Sequence, residues 1–131
     1  MAITKDSGRQ EVVVARVAVT FGTGNDISAT GTYGAIDIPK GAIVIGGYIN
    51  VSDATTATVD IHVGDGATTN RYADNVDGGA AALTALTVTG YKYTAADTID
   101  LLIDTAAPTA AGAAELVVMY MVDGRAAFSE G

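Results

Sequence analysis

A period-two alternation of apolar and polar side chains is the feature that most constrains this chain. In residues 58–63, Val59, Ile61 and Val63 alternate with Thr58, Asp60 and His62, and Ile99, Leu101 and Ile103 repeat the pattern. Successive side chains of an extended strand point to opposite sides, so such a segment has one buried face and one wet face. In residues 11–21, Val13, Ala15, Val17, Val19 and Phe21 share one face, and Val12, Val14, Arg16, Ala18 and Thr20 share the other. The density of β-branched residues there favours strand over helix. Both faces are partly apolar, which suggests a central strand or a strand whose outer face meets a partner. Residues 115–122 offer the same choice, with Leu116, Val118, Tyr120 and Val122 opposite Val117, Met119 and Met121.

Turn signals divide these strands. Pro39 fixes its own φ and biases Ile38 towards an extended conformation, and Gly41 relaxes the chain after the corner. The paired Gly46 and Gly47 inside the strand predicted at 43–51 let it bend, or let another backbone come close. The spacing predicts a hairpin joining 43–51 to 58–63, and a second in which 98–104 pairs back on 83–93. Residues 22–34 and 67–82 are expected as irregular connections. There is a faint internal echo, since Gly47-Tyr48 leads to Thr58-Val59-Asp60-Ile61 and Gly90-Tyr91 leads to Thr98-Ile99-Asp100-Leu101. About seven strands with no convincing helix predict an all-β, two-sheet antiparallel sandwich, with a jelly roll favoured and an open barrel as the alternative. Residues 1–10 are expected to be a polar N-terminal arm, and residues 11–131 a single β-sandwich domain.

Fifteen acidic residues against seven basic ones give a net charge of −8. Phosphate backbones and anionic membranes both repel such a surface, so neither nucleic acid nor membrane is an expected partner. There is no cysteine, so no disulfide and no thiolate metal site can form. The polar opening residues carry no secretory signal, and no run approaches the roughly 20 apolar residues of a membrane helix, which predicts synthesis in the cytosol.

Candidate chemistry is thin. His62, the only histidine, shares a strand face with Asp60 two residues away. A metal or acid–base pair there needs a third group and a pocket, which the sequence does not name; an exposed strand residue is the simpler expectation. Gly22-Thr23-Gly24 lacks the Lys-Ser/Thr and the helix of a phosphate loop. Asp74, Asp77 and Gly78 fall short of a calcium loop, which needs six to eight oxygen ligands. Asn50-Val51-Ser52 matches a glycosylation acceptor but has no secretory context. The serines lie in turns or tails without nucleophile-elbow glycines, and sugar-stacking aromatics are few, with six Tyr, two Phe and no Trp. No catalytic residue, metal ligand or cofactor is therefore assigned. Tyr72 is expected to anchor its loop, with its ring buried and its hydroxyl at the surface.

The succession IPKGAIVIGGYINV, TVDIHVGDG, NRYAD, LTVTGYKYTAADTIDLLI and VDGRAAF resembles small structural proteins of tailed bacteriophages, of the head decoration (cement) or minor virion type. The resemblance runs from Ile36 onward, about three-quarters of the chain. It implies a non-enzymatic β-sandwich on the capsid exterior, bound to the major capsid protein as a homotrimer at lattice axes, after synthesis in the host cytoplasm. Many copies clamping neighbouring capsomers act by multivalency, so each needs to bind only weakly. Within that picture Arg9 of the arm, and Arg71 and Tyr72 of the 67–82 connection, are the expected capsid or subunit contacts, since Arg and Tyr are favoured interface anchors. The alternative is a minor tail, neck or fibre protein with a receptor- or glycan-binding role.

Overall fold

The computed structural model describes residues 10–126. They form eight strands: β1 (Gln10–Phe21), β2 (Gly31–Ile38), β3 (Ala42–Asp53), β4 (Asp60–Gly64), β5 (Ala73–Asp77), β6 (Ala82–Ala85), β7 (Asp97–Asp104) and β8 (Gly112–Ala126). Two four-stranded sheets result, in the orders β1-β8-β3-β6 and β2-β7-β4-β5, with every ladder antiparallel. The pairings β1 with β8, β2 with β7, β3 with β6 and β4 with β5 are those of one long hairpin rolled up on itself. That is the jelly roll expected from the strand pattern.

Both expected hairpins are corrected by this topology. Strands β3 and β4 follow one another in sequence but lie in opposite sheets, so 54–59 is an arch across the sandwich rather than a hairpin turn. Strand β7 pairs with β2 and β4, not with the preceding segment. Of residues 83–93, only 83–85 remain in a strand. Beyond them, Leu86 donates its N–H to the Gly47 carbonyl, and Tyr93 exchanges backbone bonds with Gly41 and Ala42. Both halves of the sequence echo thus lead from the first sheet to the second. The expected irregular stretches each contain strand: β2 begins within 22–34, and β5 occupies the middle of 67–82.

Alternation nonetheless fixes what is buried. Phe21, Ile38, Ile49, Ile61, Ile99, Leu101 and Leu116 are each at most 1% exposed and fill the space between the sheets. The Pro39-Lys40-Gly41 corner carries the chain from β2 into β3, with Gly41 at a φ of 86°. Gly47 marks a close backbone approach, as its position in the strand predicted. Its φ is 134°, and a Cβ there would stand 2.1 Å from the Val117 carbonyl oxygen. A bulge between Val44 and Gly46 turns β3 at that point.

Candidate functional site

The two sheets present unlike outer faces. On the β1-β8-β3-β6 sheet, the register aligns Val12 with Met121 and Ile43, Val14 with Met119 and Gly46, and Arg16 with Val117 and Tyr48. Val12, Val14 and Leu83 are 51%, 61% and 60% exposed, and the bulged Ile45 joins them at 37%. The Met119 methyl lies over Gly46, where a Cβ would come within 2.7 Å of it. Two charge pairs are described on this face, Arg16 with Glu115 at 2.7 Å and, beside Ile43, Lys92 with Asp123 at 2.5 Å. Strand β1 is an edge strand, so its two-sided apolar character is not that of a covered central strand. Strand β8 is central, with Leu116, Val118 and Tyr120 turned to the core. Exposed apolar side chains gathered on one outer face make it a candidate association surface.

The outer face of the β2-β7-β4-β5 sheet is acidic. Asp77, Asp60 and Asp104 stand opposite one another across three adjacent strands. Asp37 and Asp100 lie on the same side further along, because their neighbours Ile36, Ile38, Ile99 and Leu101 point inward. Asp100 is 7% exposed and accepts a hydrogen bond from the Thr98 hydroxyl. Burial pushes its carboxyl up; the Thr98 bond opposes this, and the negative charges of Asp97 and Asp65 add to it. His62 lies among these acids and is 8% exposed, not the exposed strand residue expected. Its Nδ1 is 2.8 Å from Asp74 Oδ1, and its Nε2 is 3.8 Å from Asp104 Oδ2.

Two of the three predicted contact residues, Arg71 and Tyr72, lie among the described residues. Arg9 lies outside the described residues. Arg71 donates through Nε to Asp65 Oδ2 at 2.5 Å, and its guanidinium sits 3.7 Å from the centre of the Tyr91 ring. Asp65, 1% exposed, also accepts from the Ala67 and Thr68 N–H groups and from the Tyr93 hydroxyl. Because Tyr93 spends its proton on Asp65, Tyr72 donates to the Tyr93 oxygen at 2.8 Å. Tyr72 is 1% exposed, so its hydroxyl, expected at the surface, is buried. The cluster pins the connection after β4 to the segment before β7. Burial alone would raise the Asp65 carboxyl, but Arg71, Thr68 and Tyr93 outweigh it and hold it below the usual carboxylate range.

The remaining candidates do not gather into chemistry. In the 22–30 connection the Asp26 carboxylate accepts from the Thr20 N–H and hydroxyl, and Gly22 N–H bonds to the Ile27 carbonyl, which is a closed turn and not an anion cradle. Asp77 caps its own turn through the Gly79 N–H. The two-sided apolar strands 11–21 and 115–122 already offered a partner-meeting face in the sequence, but that they lie side by side, and that Asp65 gathers Arg71, Tyr93 and Tyr72, depends on which segments are neighbours.

No family model matches this chain, and no curated protein does. Among solved structures, a chain of the capsid asymmetric unit of cyanophage Pam1 shares its fold, with a TM-score of 0.68 and 23% identity over 93% of this chain and 91% of that one. A chain of the acidic stable capsid of Helicobacter pylori bacteriophage KHP30 gives 0.61 and 20%, covering 86% of this chain and 93% of that one. A chain of the capsid of Ralstonia phage GP4 gives 0.63 and 17%, over 93% and 90%. The jelly roll is thus shared with chains of three phage capsid structures over nearly their whole lengths.

Proposed function

We propose that this chain is a non-enzymatic structural protein of a bacteriophage virion, and that it decorates the outer capsid lattice and stabilises the head. The observation that carries the reading is the whole-chain fold likeness to chains of three phage capsid structures. The family resemblance of the segment from Ile36 onward supports it. Fold by itself does not fix function, so the surface must supply the mechanism. The apolar outer face of β1, β8 and β3 is the part suited to bury against a capsid protein or a sister subunit. The acidic face of the other sheet then points away from the particle, where negative charge keeps neighbouring particles apart. In this reading three copies form a homotrimer.

The copy number of this polypeptide in purified virions tests the proposal, measured by quantitative mass spectrometry against the major capsid protein. A count comparable to the capsid protein supports lattice decoration. A few copies per particle would move the chain to the tail or neck, and absence from the particle would refute a virion role.

A further inference from the structure

We propose that the outer face of β4, β5 and β7 holds a divalent transition-metal cation of the Zn2+ class, bound by His62 Nε2 and Asp104 and completed by Asp60 and water. The inference is independent of the virion reading. Two separate observations meet here.

The first is the row of like charges. Asp77, Asp60 and Asp104 are register partners on three adjacent strands, and like charges directly opposite one another destabilise a sheet. Local donors take part of the load: Gly79 N–H bonds to Asp77, the Thr105 hydroxyl to Asp60, and the Thr105 N–H to Asp104. None of these donors is a cation.

The second is the imidazole. Asp74 can only accept, so the 2.8 Å contact puts the ring proton on Nδ1. The Asn75 N–H also points at Nδ1, at 3.2 Å, but it competes with a shorter, charge-assisted bond. The other ring nitrogen, Nε2, is buried with no hydrogen-bond partner. The atom it faces is an acceptor, Asp104 Oδ2, at 3.8 Å. A proton on Nε2 makes no hydrogen bond over that distance, whereas a bare Nε2 and the carboxylate leave room for a metal cation between them.

The geometry suits a metal. With metal–nitrogen and metal–oxygen bonds of about 2.0–2.2 Å, a tetrahedral ion holds its ligand atoms roughly 3.4 Å apart, a small carboxylate rotation from what is seen. Asp104 is 62% exposed at its side chain, so that rotation is free and solvent reaches the site from its side. Asp74 on Nδ1 is the carboxylate–imidazole arrangement that fixes a metal-binding histidine. Among the described residues no three His, Asp or Glu side chains already stand together as a finished site. Asp60 must therefore leave the Thr105 hydroxyl to become the third ligand, with water filling the rest. An imidazole among carboxylates selects a first-row transition cation over Mg2+ or Ca2+.

The test is calorimetric titration of the untagged full chain with ZnCl2, alongside thermal unfolding with and without the ion. One ion per chain and a rise in Tm of several degrees are expected, both lost in His62→Gln. Asp74→Asn, a positioning change, weakens binding about 10–100-fold. Asp104→Asn lies on an exposed side chain, keeps the fold, and weakens binding at least as much. Long-range proton–nitrogen NMR is expected to shift His62 Nε2 on Zn2+ addition while Nδ1 stays protonated. No binding by the folded wild type, binding untouched by these substitutions, or equal affinity for Ca2+ would each overturn the site.

Discussion

Arg71 and Asp65 form a closed pair inside the fold: Nε stands 2.5 Å from Oδ2, with the two side chains 13% and 1% exposed. The carboxylate belongs to the residue following β4, and the guanidinium to the connection leading into β5. Breaking such a pair from one side leaves a buried charge without its partner. Arg71→Ala is expected to cost about 3 kcal/mol, the low end for a broken buried pair, because water can enter the vacated site. Tyr72→Phe, which removes one buried hydrogen bond, costs about 1 kcal/mol. Urea unfolding of the two variants checks the order. Equal costs would show that Arg71 works as an ordinary surface residue.

Acid should act on two carboxylates in opposite directions. Asp65 titrates below its ordinary value in the folded chain, so its contribution is in place above about pH 4 and is lost as pH falls through the depressed folded value. Asp65→Asn should therefore lower stability at neutral pH, with the gap to wild type closing in strong acid. Asp100 titrates above its ordinary value, so its ionised form is a penalty that fades as pH falls through the folded and then the unfolded value. Asp100→Asn is expected to stabilise at pH 7 and to lose that advantage by about pH 3. Urea midpoints for both variants at pH 3, 5 and 7 measure it, and parallel curves would contradict the assignment.

Two glycines with positive φ should respond very differently to alanine. At Gly47 a Cβ meets the Val117 carbonyl at 2.1 Å, whereas at Gly24, with φ 84°, nothing lies within 4 Å. Gly24→Ala pays for backbone conformation alone, about 1 kcal/mol. Gly47→Ala must also push β3 off β8 and is expected to lose more than about 4 kcal/mol or fail to fold. Thermal unfolding separates the two outcomes.

The apolar face is tested at Val14, 61% exposed. Val14→Asp is expected to leave the isolated chain within about 0.5 kcal/mol of wild type, as exposed sites do. Attachment should weaken at least tenfold, since losing one buried valine forfeits about 1.5 kcal/mol or more. Virion occupancy together with circular dichroism checks both halves. Unchanged occupancy would move the contact off this face.

Much of this was legible residue by residue. Alternation in 58–63 and 98–104 gave the inward sides of β4 and β7, and Pro39-Lys40-Gly41 and the Gly46-Gly47 pair marked a corner and a close approach. What failed was partnership. The predicted 43–63 hairpin is an arch, because the buried sides of β3 and β4 face each other across the core instead of lying side by side. Strand β5, ADNVD, shows only Ala73 and Val76 to the core and is held by its ladder to β4.

Alternation is a property of neighbours along the chain, so the sequence by itself determined an all-β sandwich and which side chains enter its core. Register and sheet membership depend on residues up to a hundred positions apart, as in Arg16 against Glu115. Only the tertiary structure could therefore decide that Arg71 and the Tyr72 hydroxyl turn inward, that Val12 and Val14 share a face with Met119 and Met121, and that His62 meets Asp74 and Asp104. The physical reason is that a strand's own letters fix which side is wet, whereas the strands laid beside it fix what that side contains.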